Sequence, residues 1–293
     1  MNHLDRINLT LEYIEAHIDT NLDLSLLAAK SALSKYHFHR IFKALLGEQP
    51  LKYVARRRLT RAAHDLLNTD RRIIDIAFDL GFGSHESFIR AFKKRFLLTP
   101  SQFRRIKPRI PFEDKGKIGP LDLRLSHGKA IPNPTILTRP AFSITGLIYS
   151  GRETSAIGWL WDRFWEMIRS GTFTVENHQY LGACFHDLDM RNNEVFEYYA
   201  GFEIGDSINI PKRFKTVDIP ENAYAVFTHQ GHVNNIEMTY DQIYGNWLPR
   251  SMYTPTMDLD IIVVDSRFSG RNEKSEVDIL IPVSREKARS VKK

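Results

Sequence analysis

The chain contains a single cysteine, Cys184, among its 293 residues. One thiol excludes an intramolecular disulfide bond and a cysteine zinc site, and it is typical of proteins from a reducing cytoplasm. No apolar run approaches the roughly 20 residues that a membrane-spanning helix needs. The first residues, Met-Asn-His-Leu-Asp-Arg, lack the charged and apolar segments of a secretory signal peptide. We therefore expect a cytoplasmic protein that does not enter a membrane.

The sequence also lacks the short motifs of several enzyme classes. It has no glycine-rich phosphate loop, no G-x-S-x-G nucleophile motif and no zinc-protease motif. His229 and His232 form an H-x-x-H pair, but a metal site needs a third ligand and an element that aims both rings. We interpret this pair as two exposed histidines of a loop. The sequence thus predicts no catalytic residue, no metal site and no cofactor.

Positive charge is concentrated in the first third of the chain. Residues 1–112 contain 20 Lys and Arg against 11 Asp and Glu, a net charge of +9. The remainder holds 41 − 20 = 21 basic against 35 − 11 = 24 acidic residues, a net charge of −3. This asymmetry favours a polyanionic partner for the first part of the chain only.

Residues 73–104 have the pattern of two short helices around a turn. Ile73, Ile76 and Ala77 have the i, i+3, i+4 spacing of one apolar helix face. Two glycines then permit a tight turn, and Ser84 occupies an N-cap position. The second helix has a separate apolar face, formed by Phe88, Ala91, Phe92 and Phe96. Because its other face is polar and basic, the stretch predicts a helix-turn-helix.

The same pattern occurs fifty residues earlier. A shift of fifty aligns Ser34 with Ser84, Phe38 with Phe88, Arg40 with Arg90, Phe42-Lys43 with Phe92-Lys93, Pro50 with Pro100, and Tyr53 with Phe103. A single pattern of this kind is common in ordinary helix pairs. Two patterns in register indicate a duplicated helix-turn-helix.

Residues 1–108 resemble the AraC/XylS family of transcription regulators. The resemblance rests on Ile-Ala-Phe-Asp-Leu-Gly-Phe-Gly-Ser, Phe-Ile-Arg-Ala-Phe-Lys-Lys-Arg-Phe and Thr-Pro-Ser-Gln-Phe-Arg. It implies an all-α DNA-binding unit in which a long helix joins two helix-turn-helices. Leu97 stands where the family usually has glycine, whereas the first copy keeps Gly47. We therefore expect a less regular end for the second recognition helix.

The periodicity of residues 1–67 predicts four further helices. They are expected at residues 4–18, 22–30, 34–46 and 50 to about 67, the third being the first recognition helix and the last the long connecting helix. The connecting helix carries a basic run of Arg56, Arg57, Arg58 and Arg61. Contact with water and contact with phosphate are equally open for these arginines.

Prolines and glycines punctuate residues 106–134, which show little helical periodicity. We predict a DNA-binding domain at 1–108, a linker at 109–134 with a short strand near 121–125, and a second domain at 135–285. In the second domain we expect strands at 135–150, 180–185, 195–204, 217–228, 261–264 and 277–283, and helices at 157–168 and 236–248. The order predicts an α+β domain of duplicated strand-helix-strand-strand units, with a mixed sheet and helices on one side.

This second part resembles the GyrI-like effector-binding domain. The resemblance rests on Tyr-Ala-Val-Phe-Thr-His-Gln-Gly at 224–231, Ile-Tyr-Gly-Asn-Trp-Leu-Pro at 243–249 and Val-Asp-Ile-Leu-Ile-Pro-Val at 277–283. It implies a pocket for cationic or amphipathic ligands, with an acidic residue in the last strand. That acid is usually glutamate and is Asp278 here, one methylene shorter.

The candidate DNA-binding residues are the outward positions of the two recognition helices. They are Tyr36, His39, Arg40 and Lys43 in the first helix, and His85, Glu86, Ser87, Arg90, Lys93 and Lys94 in the second. Arginine donates two hydrogen bonds to guanine and glutamate accepts from cytosine, whereas the lysines suit phosphate. The alternative is that Arg40 and Arg90 brace the fold or hold phosphate.

The candidate ligand-binding residues combine acids and aromatic rings, which suit a cation in a partly dry pocket. They are Asp278, Glu276, Tyr149, Trp159, Trp161, Tyr199 and Trp247. Glu276 shares a strand face with Asp278 by alternation. The alternative is that rings such as Trp165 and Trp247, in corresponding helices, belong to the core.

We therefore predict a sequence-specific transcription regulator that is not an enzyme. Its expected partners are double-stranded DNA, RNA polymerase and a small-molecule effector. Two alternatives stay open for the second domain. It is a hydrolase with Asp278 or Glu197 as the base, or it docks protein partners without a ligand pocket.

Overall fold

The computed structural model describes residues 2–108, 133–171, 173, 179–188, 194–204, 210–270 and 272–285. The chain forms two compact units, Met1–His127 and Gly128–Lys293. The predicted domain bounds of 1–108 and 135–285 stay predictions. The strand expected near 121–125 lies outside the described residues.

The described part of the first unit is helical. Its helices are α1 (His3–Ala16), α2 (Leu24–Ser31), α3 (Lys35–Leu46), α4 (Pro50–Asn68), α5 (Ile73–Asp79), α6 (His85–Phe96) and α7 (Pro100–Ile106). Six of these helices agree with the predicted ones, whereas α7 was not predicted as a helix. The signal was present, because Thr99 and Gln102 form a reciprocal capping box and Pro100 occupies the first helical position.

The duplication is visible in the packing of the two helix-turn-helices. Ser34 and Ser84 cap α3 and α6 by accepting from the backbone N–H three residues on. Tyr53 packs edge-on against Phe42, and Phe103 does the same against Phe92, with ring centroids 5.6 and 5.2 Å apart. The short helix α7 therefore repeats the first turn of α4.

The repeat has one extra residue in its second copy. The turn after α2 closes with Leu33 N donating to Ala28 O, and the turn after α5 closes with Phe82 N donating to Ala77 O. These pairs are 49 residues apart, whereas the N-caps are 50 apart. The left-handed residue of the turn is Ala32 (φ 52°) in the first copy and Gly81 (φ 73°) in the second.

Leu97 ends α6 with the same geometry as Gly47 ends α3. Both residues are left-handed, at φ 61° and 74°, and each backbone N–H donates to the lysine carbonyl four residues earlier, at 2.9 and 2.8 Å. The expectation of a less regular end was therefore wrong. The backbone adopts the same cap, and the leucine side chain is accommodated because it points into solvent, 82% exposed.

The second unit is built around one β-sheet. Its elements are β1 (Thr135–Arg139), β2 (Phe142–Gly151), α8 (Ser155–Arg169), β3 (Tyr180–Leu188), β4 (Glu194–Glu203), β5 (Lys215–Ile219), β6 (Asn222–Gln230), α9 (Ile236–Gln242), α10 (Leu248–Arg250), β7 (Tyr253–Pro255), β8 (Leu259–Val264) and β9 (Glu276–Arg285). A 3₁₀ turn, Val233–Asn235, precedes α9, and a π-helical turn, Ile243–Trp247, joins α9 to α10. The short strand β7 was not predicted.

The strand order confirms the predicted duplication. The sheet runs β1-β6-β9-β8-β3-β4-β2-β5, with β7 on β9, so β2-α8-β3-β4 and β6-α9-β8-β9 are mirrored about the central β8–β3 pair. Every strand pair recorded in the described residues is antiparallel. The expected mixed sheet was therefore wrong. The strands joined by a helix, β2 with β3 and β6 with β8, run in the same direction, but an oppositely directed strand, β4 or β9, lies between them.

Alternation along the strands divides the sheet into two faces. One face carries α8, which packs on Phe196, Tyr198 and Phe202; we call it the helix face. The opposite face, here called the far face, carries a second buried cluster that includes Tyr199, Tyr224 and Leu280. Leu137 of β1 and Val217 of β5 both pack on this second cluster. The outermost strands β1 and β5 therefore extend the far-face cluster, with Leu137 beside Tyr224 and Val217 beside Ile144.

Candidate DNA-reading and ligand-binding sites

The helix α6 presents a continuous polar and basic stripe. Glu86, Arg90, Lys93 and Lys94 are all exposed, and the spacing of the first three, i, i+4 and i+7, places them along one side. Only Phe88 and Phe92 of this helix are buried. An exposed stripe of this kind offers hydrogen-bond donors, an acceptor and positive charge to one surface.

Two predicted residues of α6 lie beside this stripe rather than on it. Ser87 is half-buried and its hydroxyl donates to Ser84 O at 2.8 Å, so it belongs to the start of the helix. His85 is also half-buried and lines a hollow of about 660 Å³ together with Ile89 and Arg104. His85 and Ser87 therefore lie on the partly buried side of α6, and the exposed stripe begins at Glu86.

The helix α3 differs from α6 in its burial. The residues at the equivalent stripe are Tyr36, Arg40 and Lys43; Lys43 is exposed and Arg40 is half-buried. Tyr36 and His39 are each only 2% exposed. The expectation that these two side chains point outward was therefore wrong for this structure. Four consecutive residues of α3, positions 36–39, are buried, although Lys35 just before them is exposed.

The arginine run of α4 contacts protein groups. Arg57 makes a bidentate pair with Glu15 at 2.7 and 2.8 Å, and Arg56 pairs with Glu48 at 2.7 Å. Arg58 donates to two carbonyls after α1, Ile18 O and Thr20 O, at 3.0 and 2.6 Å, and burial lowers the pKa of its guanidinium. Arg56, Arg57 and Arg58 therefore hold α4 against neighbouring elements. These contacts favour neither water nor phosphate, the two partners left open for the arginines.

The predicted ligand-binding residues do not form one pocket, because the sheet separates them. Asp278, Glu276 and Tyr199 share the far face by alternation with Leu280 and with the buried cluster there. Four other candidates, Tyr149, Trp159, Trp161 and Trp247, lie on the helix side. Trp159 is 64% exposed on α8. Sequence spacing alone cannot place residues of distant strands on one face, which is why the set was mixed.

Two of the aromatic candidates on the helix side, Trp161 and Trp247, pack against other aromatic residues of the second unit. Trp161 Nε1 donates to Tyr198 Oη at 3.0 Å and its ring stacks on Trp165 at 5.5 Å. Trp247 packs between Phe227 and Tyr253, with centroids 5.0 and 5.8 Å away. These contacts favour the core interpretation for Trp165 and Trp247.

Asp278 is held in an ion-pair network. Its carboxylate accepts from Arg267 at 2.5 Å and from the Thr228 hydroxyl at 2.7 Å. Arg267 also pairs with Asp265 at 2.7 Å and lies 3.7 Å from Glu276. Hydrogen bonds to Asp265 and Asp278 raise the pKa of the Arg267 guanidinium, and Arg267 in turn lowers the pKa of Asp265. A cationic ligand at Asp278 would therefore have to compete with an internal arginine.

Glu197 is a third acid on the far face, and the sequence suggested it only as a catalytic base. Its Oε1 accepts from Tyr199 Oη at 2.6 Å. Burial, together with this hydrogen bond, raises the pKa of Tyr199 to about 12. Among the described residues, no ion pair with a basic side chain involves Glu197. The signal that could have found it is its position two residues before Tyr199, which places both side chains on the same face.

His229 lies in a strand rather than in an exposed loop. It is the penultimate residue of β6 and only 4% exposed. Its Nδ1 lies 2.7 Å from the Thr239 hydroxyl and its Nε2 lies 3.2 Å from His232 O. The interpretation of two exposed histidines was therefore wrong for His229. Both of its ring nitrogens are engaged, because β6 places the imidazole on the helix face beside α9.

Two family models match the two units. One, described as a helix-turn-helix domain, matches residues 27–106, and the other, described as a GyrI-like small molecule binding domain, matches residues 132–284. In the described part of the chain, no helix has both the length and the hydropathy to cross a bilayer.

Three curated relatives are named as a regulatory protein, a transcriptional regulator and an origin-binding protein. Regulatory protein SoxS of Salmonella typhimurium is 39% identical over 104 residues, which cover 36% of this chain and 97% of SoxS. The right origin-binding protein of Escherichia coli is 43% identical over 95 residues, covering 32% of this chain and 33% of that protein. Transcriptional regulator BrlR of Pseudomonas aeruginosa is 32% identical over 157 residues, covering 50% of this chain and 54% of BrlR.

Proposed function

Because this chain belongs to the AraC-type transcription regulators that carry a GyrI-like small molecule binding domain, we propose how it uses its two units. The first unit reads double-stranded DNA in the cytoplasm, with α6 as the principal reader, and contacts RNA polymerase from its DNA site. The second unit binds a small effector and has no enzymatic activity. The observation that carries the DNA proposal is the exposed stripe of Glu86, Arg90, Lys93 and Lys94 on α6.

The residues of this stripe divide into two roles. Arg90 donates to guanine O6 and N7 in the major groove, and Glu86, one turn earlier, accepts from cytosine N4. Lys93 and Lys94, near the end of the helix, hold phosphates and set the register without reading sequence. In α3, Arg40 and Lys43 supply the corresponding pair of contacts, while the side chains of Tyr36 and His39 are buried.

The connecting helix sets the distance between the two readers. Its 19 residues make α4 about 28 Å long at ~1.5 Å per residue. Successive major-groove segments on one face of DNA are about 34 Å apart. One chain can therefore place two helices in successive segments, and a monomer can read a site without two-fold symmetry.

The salt dependence of DNA binding tests this role. With roughly six phosphate contacts, the slope of log K against log salt concentration should be near −5, at about −0.9 per neutralised phosphate. Lys94→Gln should make the slope shallower by about 1 without changing the preferred sequence. The full chain is titrated with a labelled duplex selected from a random pool, and Lys30→Gln, on α2, serves as the matched control. Absence of duplex binding at low salt would contradict the proposal.

For the effector, we propose an aromatic cation on the far face beside Tyr199, with Glu197 as the acid. Glu197 forms no ion pair within the described residues, whereas Asp278 is bound by Arg267. A carboxylate offsets the cost of desolvating a cation, and the face of a neighbouring aromatic ring attracts the same cation. Tyr199 and Leu280 lie in one row across four strands, about 14 Å apart on a flat sheet. Glu197 lies two residues from Tyr199 on one side of this row, and Asp278 lies two residues from Leu280 on the other side, so the two acids are still farther apart. One small ligand therefore cannot contact both acids.

Calorimetric titration separates the possibilities for the second unit. Glu197→Gln should weaken binding of an aromatic quaternary ammonium or phosphonium ion at least tenfold and leave a neutral analogue of the same shape nearly unchanged. Asp278→Asn is the matched variant and should have the smaller effect. If both ligands lose affinity equally, Glu197 is structural. If the wild-type chain binds neither ligand, protein docking is favoured, and turnover of the ligand would support a hydrolase.

A further inference from the structure

A thiol, an imidazole and a carboxylate meet at the centre of the helix face. Cys184 and Asp260 face each other in the register of β3 and β8, the two strands at the middle of the sheet. His186 follows Cys184 by two residues and therefore lies on the same face. Tyr240 of α9 reaches Asp260 from above the sheet. Four residues from three elements thus converge at one point.

The hydrogen bonds at this point orient the groups toward one another. Asp260 Oδ1 lies 2.5 Å from His186 Nε2, and Asp260 Oδ2 accepts from Tyr240 Oη at 2.5 Å. A neutral imidazole carries one N–H, and a carboxylate partner places it on Nε2. The other ring nitrogen, Nδ1, then presents its lone pair to Cys184 Sγ, 3.8 Å away.

We propose that Cys184, His186 and Asp260 bind a zinc-class transition metal ion. Among the described residues, they supply a sulfur, a nitrogen and an oxygen that all lie within 4.8 Å of one another. Ligands of a tetrahedral zinc ion, with bonds of about 2.0–2.3 Å, lie about 3.3–3.7 Å apart. The largest separation must shorten by at most about 1 Å, and the ion takes the place of the hydrogen bond between His186 and Asp260.

The surroundings favour an ion over a larger substrate. Cys184 is 6% exposed and packs in the aromatic cluster with Phe196 and Tyr198. An acyl substrate could not approach the sulfur there, so a cysteine nucleophile does not fit the geometry. His186 has a side-chain exposure of 16% and gives an ion a route from solvent. Tyr240 holds the second oxygen of Asp260, as outer partners of metal ligands do.

This site is independent of the effector proposal, because Glu197 and Tyr199 lie on the opposite face of the sheet. A single cysteine excludes a zinc site made of several thiolates, and for that reason the sequence predicted no metal. The tertiary structure adds the histidine and the aspartate, which come from positions 2 and 76 residues away.

Cobalt(II) titration of the untagged, chelator-treated full chain tests the proposal. One equivalent should produce a thiolate-to-cobalt charge-transfer band with visible bands of a tetrahedral ion, and zinc should bleach both. Cys184→Ser should abolish the charge-transfer band. His186→Gln and Asp260→Asn should each weaken cobalt binding more than tenfold, and Tyr240→Phe about tenfold. His232→Gln, in the nearby H-x-x-H pair, is the matched control and should bind like the wild type.

Two outcomes would overturn the proposal. One is the absence of a charge-transfer band at stoichiometric cobalt and pH 8. The other is a band whose affinity is unchanged in both His186→Gln and Asp260→Asn, which would mean adventitious binding to the thiol only. Tryptophan fluorescence checks that each variant is folded, since all four tryptophans lie in the second unit. If Cys184→Ser does not fold, the cobalt affinity of Tyr240→Phe relative to the wild type tests the site instead.

Discussion

The two helix-turn-helices repeat in sequence, but their second helices, α3 and α6, differ in how many residues are buried. In α6 only Phe88 and Phe92 are buried, whereas eight residues of α3 are buried, including four in a row at its start. The equivalent positions Tyr36 and Glu86 are therefore covered in one copy and exposed in the other. A repeated core thus preserves the fold of a recognition helix while its reading face is free to diverge.

Each copy has two residues with left-handed backbone geometry, one at the turn and one at the helix end, and glycine occupies a different one in each copy. The first copy has Ala32 at the turn and Gly47 at the helix end, and the second has Gly81 at the turn and Leu97 at the end. The backbone conformations match in each pair. Left-handed geometry is therefore imposed by the fold at all four positions, and each copy accepts one strained residue.

The largest expected effect comes from removing the shared core phenylalanine. Phe38 and Phe88 are both 0% exposed. Phe38→Ala and Phe88→Ala should each lower the unfolding free energy of the first unit by about 3–5 kcal/mol. The loss should be greater for Phe88→Ala, because α6 keeps only Phe92 as a buried residue. Denaturation followed by circular dichroism at 222 nm measures it, while tryptophan fluorescence should report an unchanged second unit.

A larger loss for Phe38→Ala would contradict this ranking. It would mean that α3 depends on its phenylalanine more than α6 does, in spite of its additional buried residues.

Substituting the equivalent arginines compares the two readers directly. Arg90→Ala should weaken binding to the preferred duplex by about 1–3 kcal/mol and relax the preference at one position. Arg40→Ala should have the smaller effect, because Arg40 is half-buried and its guanidinium lies 6.0 Å from the ring centre of Tyr36. Affinities for a set of single-base variants of the duplex measure both. An equal loss on every sequence would identify the arginines as phosphate contacts.

The smallest effect concerns the helix ends. Leu97→Gly should raise the unfolding free energy of the first unit by about 1 kcal/mol, because a leucine at positive φ is strained and this side chain is exposed. The matched change, Gly47→Ala, should lower it by a similar amount. An added Cβ at Gly47 meets no atom within 4 Å, so any loss comes from the backbone alone. Thermal denaturation by circular dichroism checks both, and a destabilised Leu97→Gly would show that the leucine packs in solution.

Much of the fold could be predicted from local pattern. Apolar spacing, serine caps and the fifty-residue repeat located α1 to α6, and alternation located the longer strands, because these signals lie within a few residues of one another. The helix α7 and the strand β7 were missed because each is too short to show a period. The antiparallel arrangement was also missed, since pairing joins strands that are far apart in the chain.

The sequence by itself determined the class of this protein, through two helix-turn-helix motifs, a charge asymmetry and a duplicated order of strands and helices. Only the tertiary structure decided which side chains are buried, which are paired and which lie on the same face. It covered Tyr36 and His39, joined Arg267 to Asp278, and divided the aromatic candidates between two faces. It also brought Asp260 to Cys184 across 76 residues. The physical reason is that burial and pairing depend on neighbours from other elements, which no local spacing encodes.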